Sequence, residues 1–569
     1  MKRIISLIGL LLIIQHTSAR PQWQWGVNSN CTSEDWGSVI ATDKAGNVYV
    51  SGIFTNTITL DTITLTSLGA KDVFLAKYDP SGQIIWAKSC GSIAEETIRA
   101  ISIDSSDNIY LTGSFGAHVT YPVTYTDTAY FSGTSVISNG NEDIFLAKYD
   151  SNGQIIWVKN YGSVYDDVGA SITVTGNQKI LLTGTFGNYG GSPPVYGTAR
   201  FDSLQTVSAG DGDIFLACIQ TNGTIQWVKK FGTKSSESGI DVSADSQNNI
   251  YLTGQFDYSI SFQGLTANSI SSGFVGGDVF LAKFDSVGNA LWAKPIGGSN
   301  SSTSNGGSVW VSSLVSTTGG DIYVTGSYDF CTLKFHNNAT LPFQSQFQVF
   351  LAKYDTQGNL IWAREMGGPS WDFSNDLWLD KNENVYLTGF FRNWGVFDKD
   401  TIYGYGMEDA FITKWDKNGN ELWAVNMGGS GYDYGSGITG DDASNIYVTG
   451  AFNSGSFNYG GSTLTNSGSW DMFLVKLSDP TSVEELNTSA YEVQVYPNPT
   501  SDVLNIHSSK KLFNEVSIYD PLGRLAFHEK TEKQKDKTSI HLGHLPEGIY
   551  YLQLSGVGNP QTKKIIIQH

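Results

Sequence analysis

Cysteine is nearly missing. Cys31, Cys90, Cys218 and Cys331 are all that 569 residues hold. They are too few and too scattered for a disulfide framework or a zinc cage. Cys31 and Cys90 fall in related places of successive repeats, which leaves a pairing of those two open. Histidine is as sparse: only His118 and His336 lie between residues 20 and 480, and neither Gly-x-Ser-x-Gly nor His-Glu-x-x-His occurs. Ser-His hydrolysis and zinc chemistry therefore have little support. No apolar run, the N-terminal Ile4–Ile14 included, is long enough to span a bilayer. Positive charge is short too, with 35 Lys/Arg against 54 Asp/Glu. Residues 481–569 carry 9 Lys/Arg and 10 Asp/Glu, so −18 of the net −19 belongs to residues 1–480. An acidic surface of that size repels nucleic acid and anionic lipid, and neither is expected as a partner.

What the chain has in abundance is repetition. Asp72-Val-Phe-Leu-Ala-Lys-Tyr-Asp-Pro-Ser-Gly-Gln-Ile-Ile-Trp-Ala-Lys88 recurs with its Phe at positions 74, 145, 215, 280, 350, 411 and 473, at spacings of 71, 70, 65, 70, 61 and 62 residues. Self-similarity at such a period means that one supersecondary unit is stacked many times. Within the unit, Val73–Tyr78 alternates at period 2 as a strand does. Asp79-Pro80-Ser81-Gly82 supplies turn chemistry, and Gln83–Lys88 returns around Trp86. A second hairpin ends in Tyr-Leu/Val-Thr/Ser-Gly, its centre 24 residues after the Trp in all repeats but one, where Trp292 precedes Tyr323 by 31.

Four antiparallel strands per repeat fit a propeller blade, an arrangement that protects sheet edges by radial repetition. The seventh copy, Asp471–Lys476, has no Trp strand after it, whereas Trp25 stands 24 residues before Tyr49. The spacing predicts an all-β, seven-bladed propeller over residues 20–480, closed by a strand from its own N-terminus. Trp25, Trp86, Trp157, Trp227, Trp292, Trp362 and Trp423 then occupy one repeated packing position. Seven such rings are inter-blade packing rather than a cofactor box.

The two ends speak of destination. Lys2-Arg3, the apolar run Ile4–Ile14 and Thr17-Ser18-Ala19 read as a signal peptide over residues 1–19. No Cys follows the cut, which argues against a lipid anchor. Residues 481–490 form a polar linker, and residues 491–569 leave the repeat for short strands between turns, a small immunoglobulin-like β-sandwich.

Two resemblances rest on these residues. The F-L-A-K-Y-D-x-x-G-x-x-x-W wording joined to D-x-x-x-N-I-Y-L-T-G, as in Asp104–Gly113 and Asp245–Gly254, resembles the bacterial SBBP β-propeller repeat over about residues 23–478. That family implies a fold and no shared activity. The tail resembles the C-terminal sorting domain (type A, Por) of the type IX secretion system of Bacteroidetes. The likeness rests on Tyr496, Pro497, Asn498 and Pro499 and on Leu545, Pro546, Gly548 and Tyr550. It implies that the type IX translocon is a partner, that the protein is secreted or held at the outer surface, and that the tail is cleaved on export.

Repeated carboxylates stand 14 residues before the Tyr-Leu-Thr-Gly tyrosine or its Leu181 counterpart: Asp35, Glu96, Asp167, Glu237, Asp372 and Asp433. They offer either a cation-binding ring or loop carboxylates that accept backbone N–H groups between blades. Recurrence in nearly every blade favours the second. A pairing with the repeated lysines (Lys77, Lys148, Lys283, Lys353, Lys414, Lys476) stays open, although the gaps in the two series do not coincide. The Asp-x-x-x-Asn turns, such as Asp380–Asn384, lack a calcium loop's ligand count and read as Asx-stabilised hairpins. No metal and no cofactor is expected.

Variation between blades is the better guide to function. The longest excursions, 116–140 and 187–210, carry Tyr121, Tyr125, Tyr130, Tyr189 and Tyr196, which offer a glycan- or protein-binding surface or a cover for the blade edge. The leading expectation is an exported, non-catalytic binding or adhesion scaffold for glycan or protein. The alternative is an extracellular glycosidase-like hydrolase or quinone-linked enzyme using channel carboxylates.

Overall fold

A computed structural model describes residues 20–116, 126–187, 196–271, 277–299, 307–343, 346–479, 493–508, 513–520, 524–556 and 558–569. The expected signal peptide and linker, with Tyr121, Tyr125 and Tyr189, lie outside the described residues. All regular structure among the described residues is β. The chain divides into two compact units, one within residues 1–480 and one within 481–569.

Among the described residues the larger unit repeats one four-stranded antiparallel arrangement seven times, in five four-stranded sheets and in two that a neighbouring hairpin extends to six strands. Sheet 1 is Asp35–Thr42, Val48–Phe54, Asp72–Tyr78 and Ile84–Gly91. Sheets 2 to 6 repeat that order, starting at Thr97, Val168, Glu237, Val309 and Phe373. Sheet 7 takes three consecutive strands, Asp433–Gly440, Asn445–Phe452 and Asp471–Ser478, and its fourth, Gln22–Asn28, from the start of the chain. That fourth strand pairs antiparallel, Trp25 opposite Lys476 and Val27 opposite Leu474.

The third strand of every sheet is wholly or almost wholly buried, as in Asp72–Tyr78 and Asp143–Tyr149. A strand covered on both faces needs apolar side chains on both, hence the near-continuous Phe-Leu-Ala wording. Each core cluster joins residues of two neighbouring sheets. Phe280 and Phe284 of sheet 4, for example, pack with Leu216 and Phe231 of sheet 3. The first strands touch one another in cyclic order, 1 to 7 and back to 1. They surround a cavity of about 520 Å³ lined by residues from all seven.

Between its second and third strands each sheet sends out a hairpin, and six of the seven bridge directly to the outermost strand of the preceding sheet or its continuation. Phe131 pairs with Cys90, Thr332 with Ser299 and Ile58 with Cys31, while Arg200, Val396 and Asn458 bridge Gly162, Gly367 and Gly428. The excursions therefore clip sheet to sheet.

The smaller unit pairs Val493–Tyr496, Val503–Ser508 and Lys537–His541 in one sheet. Its other sheet holds Leu525–Lys535, Phe513–Tyr519, Gly548–Gly556 and Gly558–Ile567. Leu504, Ile518, Leu552 and Ile565 are fully buried between them.

Candidate functional site

The repeated tryptophans are docking pegs. Each stands on the outermost strand of one sheet, and five of the seven point the indole N–H at the turn after the third strand of the next. Trp86 Nε1 donates to Ser151 O at 3.2 Å, Trp157 to Thr221 O at 3.3 Å, Trp292 to Thr356 O at 3.2 Å and Trp362 to Lys417 O at 3.1 Å. Trp25, on the closing strand, donates to Pro80 O of sheet 1 at 3.2 Å. The ring lies flat over the turn glycine. A Cβ on Gly82 would sit 2.9 Å from the Trp25 indole, and Gly82 holds φ +88°. Both the turn and the close approach demand glycine there.

The repeated lysines share the same acceptors. Lys77 Nζ reaches Ser151 O at 3.2 Å, Lys148 reaches Thr221 O at 3.1 Å and Lys283 reaches Thr356 O at 3.2 Å. Each ammonium also sits over the repeated tyrosine, Lys77 4.9 Å from the Tyr49 ring and Lys476 5.3 Å from Tyr447. The tyrosine hydroxyl in turn donates to the Asp of the Asp-x-x-x-Asn turn, Tyr110 to Asp104 at 2.9 Å. That Asp is an Asx cap: Asp104 Oδ1 accepts from Ser106 N and Asn108 N. Lysine thus belongs to a cluster of Asp, Tyr and Trp, and not to the carboxylates that recur 14 residues earlier. Sheet 3 lacks the whole cluster, with Thr175, Leu181 and Cys218 in the three positions, and among the described residues Trp227 makes no dock bond.

The recurring carboxylates face a second series, the Asp that begins each third strand. Both are buried at the junction between sheets. Asp35 meets Asp471, Glu96 meets Asp72, Asp167 meets Asp143, Glu237 meets Asp213, and Asp433 meets Asp409. In the remaining described case Asp372 has Gln348 at the matching place. Burial pushes Asp35, Asp143, Asp372 and Asp409 up to about 7, Glu96 to about 8, Glu237 to about 7 and Asp433 to about 6. Backbone and hydroxyl donors oppose that rise, including Met472 N on Asp35 at 2.8 Å and Ser92 N on Glu96 at 3.0 Å. A Cβ on Gly162 would stand 2.5 Å from Asp143 Oδ1 and 2.8 Å from Asp167 Oδ2, so the carboxylates press on that bare backbone.

Of the excursion tyrosines Tyr130 and Tyr196 are described: Tyr130 is 52% exposed on a sheet-linking hairpin, and Tyr196 is 60% exposed just before one. The cysteines do not pair: all four thiols are free and buried, Cys31 and Cys90 in different core clusters. No group of three or more His, Cys, Asp and Glu among the described residues is placed to hold a metal.

Two features of the cavity escape a reading of the repeats. Asp241 and Asp376 both accept from Ser313 Oγ at 3.1 Å, and each also reaches a backbone N–H of the following sheet, Leu314 at 2.6 Å and Ile438 at 2.9 Å. At the rim, the residue facing the second strand just beyond its glycine is Trp36, Thr97, Val168, Ser238, Trp310, Phe373 and Tyr434 in sheets 1 to 7. Four consecutive sheets, 5, 6, 7 and 1, therefore carry aromatics there. In most repeats the residue after the recurring carboxylate would have located this position.

In the tail the sorting residues hold the unit together. Asn498 Nδ2 donates to Lys564 O at 3.0 Å while its Oδ1 accepts from Ile566 N at 2.7 Å, and Tyr550 OH donates to Pro546 O at 3.0 Å. Pro497 and Pro499 follow cis peptide bonds, Leu545 is buried, Gly548 opens the strand that carries Tyr550, and Tyr496 is 44% exposed.

Residues 494–568 match the family of secretion system C-terminal sorting domains, of the Por type. This supports export through the type IX system to the cell surface or beyond. No helix among the described residues is long and apolar enough to cross a membrane. Over 548 residues the chain is 23% identical to an uncharacterized WD repeat-containing protein of Acanthamoeba polyphaga mimivirus, covering 80% of this chain and 38% of that one. It is 26% identical over 181 residues to regulatory protein FlaEY of Caulobacter vibrioides, 31% of this chain and 17% of that one. The chain thus spans 38% or less of these curated relatives. A Synechocystis apocarotenoid oxygenase mutant is similar at 9% identity and TM-score 0.31, over 73% of this chain and 95% of that one. A Bacteroides thetaiotaomicron protein of unknown function is similar at 10% identity and TM-score 0.25, over 78% and 100%. The all-β sheets and the WD-repeat relative suggest a repeat β-propeller.

Proposed function

We propose that the seven sheets are the blades of an SBBP-type β-propeller over residues 20–480, closed by Gln22–Asn28. A signal peptide, residues 1–19, precedes it; a linker, 481–490, and an immunoglobulin-like sorting sandwich, 491–569, follow. The protein acts outside the cell as a non-catalytic scaffold that binds glycan or protein, without a cofactor. The carrying observation is the match of residues 494–568 to sorting domains, which supports export to the cell surface or beyond. The side chains that recur in the blades support the scaffold part, since most of them are engaged in contacts from one blade to the next. Deleting residues 494–568 should leave the protein inside the outer membrane of a type IX-competent host, and secretion of the deleted form would refute the export half. Binding to a glycan array without release of reducing sugar is expected of the purified protein. The second reading, a hydrolase, draws on Asp241 and Asp376 about one hydroxyl, with burial holding Asp376 at about 7. Turnover abolished by Asp376→Asn would establish it.

A further inference from the structure

We propose that the aromatic arc on the rim is a platform for a neutral oligosaccharide; this rests on the binding reading above and gives that reading its ligand class and its place. Seven rings follow one another in contact from sheet 5 round to sheet 1, three of the six contacts stacked and three tilted. The centroid steps are Trp310 to Phe347 5.6 Å, Phe347 to Phe373 4.8 Å, Phe373 to Phe390 5.1 Å, Phe390 to Tyr434 4.7 Å, Tyr434 to Trp470 5.4 Å and Trp470 to Trp36 4.5 Å. All seven are half-buried, and Trp371, 5.2 Å from Phe347, is 43% exposed.

Junction packing does not require these rings. The same register holds Thr97, Val168 and Ser238 in sheets 2 to 4, whose cores close as completely. Three of the five ring heteroatoms are tied inside the protein: Trp36 Nε1 to Glu34 at 3.0 Å, Tyr434 OH to Glu408 at 2.8 Å, and Trp371 Nε1 to Gln346 at 2.6 Å. Rings fixed in this way lose little entropy on binding. Arg392 stands among them, 5.6 Å from the Trp371 ring and 3.0 Å from Glu408. Flat apolar faces bordered by a guanidinium and carboxylates match a pyranose, which has a C–H face to stack and hydroxyls at its edge to donate and accept.

Charge and size narrow the ligand. The net −18 of residues 1–480 opposes uronates and sulfated sugars. The 520 Å³ cavity beside the rim is of small-ligand size.

The test titrates the purified protein with neutral and acidic oligosaccharides from a glycan array, read by calorimetry and tryptophan fluorescence. Trp371→Ala should weaken a neutral hit at least tenfold while the melting temperature holds, Trp371→Phe should recover most of the loss, and Arg392→Ala should weaken the hit as much while lowering the melting temperature through the ion pair lost by Glu408. Ile361→Ala, an exposed outer-strand control, should change nothing. A neutral hit indifferent to Trp371 and Arg392 keeps the binding reading but overturns the rim as its site. No neutral hit, or preference for acidic glycans, overturns the ligand class. A protein partner displaced by Trp371→Ala overturns it in favour of a protein dock.

Discussion

Asp479 stands where a backbone carbonyl stands in the other docked repeats. Its carboxylate receives the Lys414 ammonium, the Trp423 indole N–H at 3.1 Å and the Tyr386 hydroxyl at 2.7 Å, all buried. The seventh repeat ends before it can build a D-x-x-G turn, so the side chain of the unit's last described residue closes the junction between sheets 6 and 7. Asp479→Ala leaves a buried ammonium unpaired and should cost about 3–5 kcal/mol. Asp479→Asn keeps an acceptor and should cost less than half of that. Urea denaturation checks both, and equal stability of the alanine variant would show the junction to be held elsewhere.

Sheet 3 allows a cleaner measurement of the dock. Trp86 donates to Ser151 O, whereas Trp227 has no such bond. Trp86→Phe should therefore be worse than Trp227→Phe by about 1 kcal/mol, the net worth of one hydrogen bond. Cys218→Lys alone should destabilise, since it buries an ammonium beside Leu181. Adding Thr175→Asp and Leu181→Tyr should return much of the loss, with a coupling of about 1–3 kcal/mol. Strict additivity would mean that the cluster is not a unit.

These clusters show how far a sequence carries. The repeated Trp, Tyr, Lys and Asp can be read off by spacing because a closed stack needs the same contact at every junction. Spacing also brought out Asp35 and its successors, but not their partners: Asp471 or Asp143 precedes the Phe of the most obvious motif and reads as part of it. The rim aromatics were hidden for the opposite reason. Trp36, Trp310, Phe373 and Tyr434 do not recur in sheets 2 to 4, and a search for repetition discards what is not repeated. Asp241 and Asp376 are hidden likewise, since Val39, Ala100, Ser171, Ser313 and Gly437 share their register.

The junction carboxylates set a pH dependence. Their folded values, about 6 to 8 for Asp433, Asp35, Asp372 and Glu96, lie above those of an unfolded chain. Below about pH 4 both states are protonated and the stabilisation is complete. As pH rises the unfolded chain ionises first, and the folded protein must then hold charges it cannot solvate. Stability should fall from pH 4 to 8, most steeply between 5 and 7. Asp35→Asn and Asp433→Asn should flatten the curve and raise stability at pH 8. A melting temperature that climbs across that range would contradict the burial argument.

The closing strand makes the last prediction. Removing residues 20–29 uncovers the whole Asp471–Ser478 edge, whose N–H and C=O groups pair with Gln22–Asn28. It also takes away the Trp25 peg on Pro80 and Gly82, the counterpart at the 7–1 junction of Trp86 on Ser151. An exposed edge of apolar third-strand sequence recruits any strand that fits. Light scattering should show dimers or larger species, and a synthetic peptide of residues 20–31 should restore the monomer, because it supplies edge and peg together. The same peptide carrying Trp25→Ala should pair with the edge but restore less, by about the tenfold in affinity that a buried aromatic anchor contributes. A truncated chain that stays monomeric and melts unchanged would mean that sheet 7 stands on three strands.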